Sequence, residues 1–225
     1  MEPKRDEIIR QQLEMAFTAD VLEWGKDYMQ RFTKLMAYYR CAMMEIETKL
    51  NVLNEEFSLQ YDRNPINSIK TRLKSSGSMR EKLEKKGLPL SISAIETNLA
   101  DVAGVRVICS FPKDVYTISE ALLKQDDIQL VEMKDYIKNP KPNGYRSLHL
   151  IVTVPIFLAH EKKLMKVEIQ LRTIAMDSWA SLEHQLRYKK DYEFTEEMKA
   201  ELLHCANLSA ELDSRMDSLR SKVNT

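Results

Sequence analysis

Asp101 and Glu168 are the carboxylates of this chain that fall on strand-like segments in cation-bearing surroundings. Two such groups can share a hard cation such as Mg²⁺ between their own oxygens and those of phosphate groups. Glu168 lies in Lys166-Val167-Glu168-Ile169-Gln170-Leu171-Arg172-Thr173. A period of two puts Val167, Ile169 and Leu171 on one face and Lys166, Glu168, Gln170 and Arg172 on the other, an amphipathic strand with fixed polar chemistry. A half-solvated antiparallel strand is the plainer reading. Between residues 69 and 86 seven basic side chains face two acidic ones, which attracts a polyanion or else makes a solvated charged surface. Asp101 and Arg106 border and enter the apolar run 105–111; an Asp101–Arg106 or Asp101–Lys ion pair would satisfy both without any function. Alternation over 145–152 places Tyr145, Ser147 and His149 on one face, just after the lysine-bearing loop 138–144. An aromatic plate with an imidazole at i+4 suits a stacked base with phosphate nearby, and equally suits core or rim residues. Neither G-x-x-x-x-G-K-[ST] nor G-x-G-x-x-G occurs, so bound phosphates would be held by side chains and metal rather than by a backbone cradle.

These residues need elements to position them. The first sixty residues read as helix, with Met36, Tyr39, Met43, Ile46, Leu50, Leu53 and Phe57 spaced as the seam of a helix lying along another helix, ending near Asn64-Pro65. Ile69, Thr71 and Leu73 alternate with Lys70, Arg72 and Lys74 in a predicted strand with a basic face. A short helix over 79–86 follows, with Ser78 as its N-cap and Gly87 as its terminator. Further expectations are a helix over 91–99, a strand over 105–111, a helix over 112–125, a strand over 128–137, and Thr173 capping a helix that runs to about residue 190. Met198, Leu202, Cys205, Ser209, Leu212, Met216 and Leu219 give the last helix a seam, to be packed within the chain or between copies of it.

Composition narrows the classes. The chain has 225 residues, 44% of them hydrophobic and 30% charged, enough for a globular core with helical additions. Thirty-four basic residues balance 34 acidic ones, so no global field draws nucleic acid or an anionic membrane, and any basic site is local. The three cysteines have no metal-type spacing and read as reduced core residues. With no apolar h-region at the N-terminus and no membrane-length apolar run, the expectation is a cytoplasmic protein.

Three segments together carry a resemblance. Asp-Val-Ala-Gly-Val-Arg (101–106), Asn-Gly-Tyr-Arg-Ser-Leu-His (143–149) and Val-Glu-Ile-Gln-Leu-Arg-Thr (167–173) resemble the signature motifs of the RelA/SpoT synthetase domain. Residues 174–184 resemble the small, single-domain alarmone synthetases, RelP-like in type, and the likeness spans about 66–190. It implies an α+β fold, a mixed β-sheet with flanking helices similar to nucleotidyltransferases. The implied segments are an N-terminal helical segment (1–65), the synthetase domain (66–190) and a C-terminal helix (191–225). It implies transfer of the β,γ-pyrophosphate of ATP to the 3′-hydroxyl of GDP or GTP, with Mg²⁺ as cofactor. For ATP it implies Arg72 and Arg106 against adenine and Lys74, Ser78, Lys82 and Lys85 on the phosphates. Asp101 is implied as a Mg²⁺ ligand, and Glu168 as a second ligand and acceptor of the hydroxyl proton. For GDP or GTP it implies Tyr145 stacking on guanine, Lys141, Arg146, His149 and Gln170 lining the site, and Asp177 near the guanine edge. Arg172 and Glu183 are expected to bridge strand to helix. Hydrolysis of the product is not expected, since no His-Asp dipeptide occurs. A homotetramer built through helices is implied, with no requirement for nucleic acid or membrane. A non-catalytic nucleotide- or RNA-binding module is the competing class, and has no need of the Asp101 and Glu168 pair; a helical interaction protein is a third.

Overall fold

The computed structural model describes residues 5–61, 63–187 and 194–223. Its centre is a five-stranded mixed sheet in the order β1-β2-β5-β4-β3. The strands are β1 (Ile66–Leu73), β2 (Ala103–Cys109), β3 (Gln129–Asp135), β4 (Leu148–Phe157) and β5 (Lys162–Thr173). Only β2 and β5 pair in parallel; the other neighbours are antiparallel. The expected α+β class, a mixed sheet with flanking helices, is what the chain forms.

One face of the sheet is dry. Val105, Val107, Leu148, Leu150, Val152, Val167, Ile169 and Leu171 point into the main core, joined by α1 (Arg5–Tyr61) through Tyr39, Ile46 and Leu50 and by α4 (Pro112–Leu123) through Val115, Ile118 and Leu122. The α1 stripe therefore exists as read, with a different main partner: Met36 to Leu53 pack chiefly on the sheet and α4. A sheet face carrying this many β-branched and leucine side chains offers more apolar area than one helix groove.

The helices α2 (Ser76–Lys85) and α3 (Ile92–Asn98) lie between β1 and β2 in sequence. The N-cap of α2 is Ser75, not Ser78: Ser75 has extended backbone angles, and its Oγ accepts from the Ser78 amide at 3.2 Å. Of the serines in 75–78, only one placed three residues before that amide can fill the capping position. Gly87 ends the turn with φ +66°. The expected strand over 145–152 begins only at Leu148, because Gly144 (φ +89°) turns the chain sharply. Tyr145 and Arg146 thus belong to the loop, and Ser147 is buried, its Oγ donating to the Leu171 carbonyl at 3.2 Å. Thr173 caps α5 (Ile174–Arg187) as expected, its Oγ1 accepting from the Met176 amide; the anticipated end near residue 190 lies outside the described residues.

The final helix, α6 (Glu196–Val223), departs most from expectation. Its buried positions are Ala206 and Asp213, whereas Met198, Cys205, Leu212, Met216 and Leu219 of the predicted seam are exposed. It docks on α5 through Trp179, whose Nε1 donates to the Leu202 carbonyl at 2.9 Å. At its far end Arg220 joins Arg63 on the buried Asp114 carboxylate, and both guanidiniums lie over Phe111. Among the described residues no helix is long and apolar enough to cross a membrane.

Candidate active site

The face of the sheet away from the core carries two rows of side chains, fixed by register. One row runs Lys70, Arg106, Gln170, His149, Lys134 across all five strands; the next runs Arg72, Gly104, Glu168, Ile151, Glu132. Gly104 leaves a gap between Arg72 and Glu168, and that gap is the floor of a cleft of about 460 Å³. Lys70, Arg72, Lys74, Asp101, Arg106, Glu168 and Gln170 line it. A second cleft of about 210 Å³, on the other side of β5, is lined by Glu132, Lys134, Tyr136, Lys141, His149 and, again, Glu168. Glu168 therefore borders both.

Asp101 sits at the entrance to β2, with Lys82 Nζ at 2.7 Å and Lys74 Nζ at 3.0 Å, both on Oδ2. Of the ion pairs open in the sequence, the lysine pairing is the one formed, and Arg106 pairs elsewhere. Burial pushes the Asp101 carboxyl up, but the two ammonium groups outweigh it and hold the pKa below the ordinary aspartate value. Its Oδ1 is buried with no hydrogen-bond partner. An acceptor in that state is costly unless something positive completes it. Among the described residues no group of three or more His, Cys, Asp or Glu is placed to hold a metal alone. Mg²⁺, which takes one or two carboxylates and completes its shell from substrate phosphates and water, fits a donor set of Asp101 Oδ1 and Glu168.

Glu168 closes a ring of hydrogen bonds. Gln170 Nε2 donates to its Oε2 at 3.0 Å, and His149 Nδ1 lies 3.5 Å from its Oε1. His149 Nε2 meets the Tyr145 hydroxyl at 2.8 Å; Arg172 donates to that hydroxyl at 2.6 Å and to Gln170 Oε1 at 2.9 Å. Arginine can only donate, so the Tyr145 oxygen accepts from it; with the hydroxyl proton turned to Nε2, the imidazole presents Nδ1–H to Glu168. Burial raises the Glu168 pKa, but His149 and Gln170 outweigh it, and the carboxyl stays below the ordinary glutamate value. Arg172, 4% exposed, also holds Asp177 Oδ1 at 3.1 Å, tying β5 to α5 as expected. Glu183 instead accepts from Asn143, in the loop before Tyr145, at 3.3 Å.

The remaining candidates divide. Arg72, Lys74 and Arg106 line the first cleft, while Ser78, Lys82 and Lys85 stand beside it on α2, where Lys82 reaches in to Asp101 and Lys85 is exposed. Lys141 and His149 line the second cleft; the Lys141 ammonium lies 4.7 Å from the Tyr136 ring centre and 4.9 Å from that of Tyr145. Asp177 is buried between Arg106 and Arg172, with Arg106 at 3.3 Å, rather than free beside the Tyr145 ring. Arg146 turns away from both clefts toward α6. Tyr136, Glu132 and Lys134 were missed by sequence reasoning, and Lys70, read on the basic face of β1, was not singled out as a site residue. The alternation of β3 next to a proline-rich loop was the one available signal for the first three, and Tyr136 lies just past its end.

A region found in RelA / SpoT proteins matches residues 71–193 of this chain. The chain belongs to the RelA/SpoT family. It is 39% identical over 198 residues to GTP pyrophosphokinase YwaC of Bacillus subtilis, covering 88% of this chain and 94% of that one. It is 34% identical over 194 residues to GTP pyrophosphokinase YjbM of the same organism, covering 86% and 90%. Its structure resembles small alarmone synthetase 1 from B. subtilis bound to its product pppGpp, with a TM-score of 0.78 at 34% identity over 87% of this chain and 99% of the other. The same RelA/SpoT relative bound to AMPCPP gives a TM-score of 0.73 at 32% identity, over 87% and 98%.

Proposed function

We infer that this chain is a (p)ppGpp synthetase: it transfers the β,γ-pyrophosphate of ATP to the 3′-hydroxyl of GDP or GTP and releases AMP. The observation that carries the reading is Glu168, on the one strand that borders both a cationic cleft and an aromatic one. Relatives named GTP pyrophosphokinase, alike over most of both chains, support it.

In the first cleft Arg72 and Arg106 offer two planar guanidiniums suited to an adenine face. Lys74 and Lys82, with Ser78 and Lys85 on the same helix, take the triphosphate and spread its charge during transfer. On the other side of β5, Tyr145 supplies the plate for guanine beside the second cleft, Lys141 and His149 line that cleft, and Gln170, at the edge of the first, holds Glu168 between them; together they fix the acceptor so that its 3′-oxygen faces the β-phosphorus. The new bond forms between that oxygen and the β-phosphorus as the bond from the β-phosphorus to the α-bridging oxygen breaks. The Glu168 carboxylate takes the hydroxyl proton, and AMP leaves with the bridging oxygen. Mg²⁺ held by Asp101 and Glu168 would neutralise phosphate charge. Asp177 accepts from the guanine N1–H and amino group once a guanidinium yields it, which favours guanine over adenine.

The assembled protein is read as a cytoplasmic homotetramer; the exposed apolar side chains of α6 support its helix-mediated contacts. Purified protein with γ-labelled ATP, Mg²⁺ and GDP or GTP is expected to give a labelled guanosine product and AMP. Nucleotide binding without transfer would instead make the chain a binding module.

A further inference from the structure

Three consecutive residues leave the acceptor loop in three directions. Tyr145 goes to the cleft, Ser147 into the core, and Arg146 between them to α6. One Arg146 nitrogen donates both to the Gly144 carbonyl at 3.1 Å and to the Ala206 carbonyl of α6 at 3.1 Å; the other reaches Asn207 Oδ1 at 3.3 Å. Gly144 lies so close to α6 that a Cβ built on it would come within 2.4 Å of Ala206 Cβ and 3.1 Å of Leu203 Cδ1. Gly144 and Ala206, both small, make that approach possible, and at φ +89° no other residue would replace Gly144 without strain. A second tie runs from the same helix to the end of β5, where Thr173 Oγ1 donates to the buried Asp213 at 2.6 Å, one residue from Arg172 in the ring around Glu168.

We propose that Arg146 and Ala206 are positioning residues for the acceptor nucleotide: they seat the Gly144–Arg146 turn on α6, so that the placement of α6 sets the position of Tyr145 and the affinity for GDP or GTP. This rests on the acceptor reading of the second cleft. Neither residue touches the nucleotide; both act through Tyr145. Among the described residues, the side chains that line the donor cleft are linked to α6 through Asp177 of α5 and the Thr173 end of β5 rather than by a turn seated on it, so the effect falls mainly on one substrate.

The test uses the full chain, binding rather than turnover, and GDP and AMPCPP as probes. GDP should slow amide exchange in α6 around residues 202–213, and AMPCPP should leave it unchanged. Ala206→Leu, which forces the turn outward, and Ala206→Gly, which loosens it, should each weaken GDP by about fivefold to tenfold while AMPCPP affinity changes less than about twofold. Arg146→Met should match them, and Arg146→Lys should recover part of the loss. If Arg146 instead touched the nucleotide, Arg146→Met alone would weaken GDP and both Ala206 variants would bind normally, which overturns the proposal. Equal losses of GDP and AMPCPP, in step with a lowered Tm, would also overturn it by reducing the contact to general stability. Failure of the unsubstituted chain to bind GDP at all would remove the acceptor reading itself, a result separable from the others.

Discussion

Glu168 combines two demands that pull against each other, a charge held in a half-dry site and a basic oxygen free to take a proton. Its neighbours settle the first: burial raises the carboxyl, while His149 and Gln170 bring it below the ordinary glutamate value, so it is ionised at neutral pH. Glu168→Gln keeps the shape and a hydrogen-bond acceptor for Gln170 but removes the base. Turnover should fall by about 10²–10⁴-fold, the usual scale for general base catalysis, with both nucleotides still bound in equilibrium titrations. Near-normal turnover would move the base elsewhere. Tyr145 has two separable parts. Tyr145→Ala removes the plate and should raise the acceptor KM by roughly tenfold or more, given ~1–3 kcal/mol per stacked base, with little change in the ATP KM. Tyr145→Phe keeps the plate and opens the ring around Glu168. Its effect should therefore appear in kcat rather than KM, and a pure KM effect would show that the hydroxyl contacts the nucleotide.

At the scale of elements, α6 is held by a buried acid. Burial raises the pKa of Asp213 and Asp217 adds to it, while the Thr173 hydrogen bond and the Arg146 charge oppose them without cancelling the rise. A carboxyl whose folded pKa lies above its unfolded one favours the folded state at low pH and costs stability as pH rises through that folded value. Asp213→Asn still accepts from Thr173 without the charge. It should raise Tm at pH 7 by about 2–4 °C, with the gain vanishing near pH 4, as read by calorimetry across that range. A lower Tm at pH 7 would mean that the ionised group is paired well enough to be favourable. The same helix shows where sequence reading reached and where it stopped. The alternation in β5 was legible because Val167, Ile169 and Leu171 share one face and all three are buried. The period of α6 was legible too, but its buried side was not: apolar spacing pointed to Leu212 and Met216, whereas close docking on the Gly144 turn selects Ala206. Local patterns report hydrophobicity, and close approach between segments far apart in sequence leaves no local trace. Arg146 shows the same limit. Alternation put Tyr145, Ser147 and His149 on one face, yet the turn at Gly144 sends 145, 146 and 147 three ways.

For the whole molecule, the exposed leucines decide what is expected. Leu208, Leu212, Met216 and Leu219 are each about half exposed along α6, with Leu182 and Leu186 on the adjoining α5. Apolar surface of this extent on helices suits contact with further copies. Light scattering is expected to give about four times the 26.3 kDa chain mass, and Leu212→Glu should dissociate the assembly by placing a charge in the contact. A monomeric mass for the unsubstituted protein at micromolar concentration would contradict this. The position of β5 between the two clefts has a further consequence. Adjacent strands lie roughly 4.8 Å apart, so the strands on either side of β5 stand only about 10 Å from each other. On the proposed reaction, donor and acceptor meet across that single strand, at Glu168, and the pyrophosphate passes directly from one to the other. Neither nucleotide can then be processed and released before the other arrives, and the rate below saturation follows the product of the two concentrations. On that reading the enzyme is a coincidence detector, turning over only with both nucleotides seated at once.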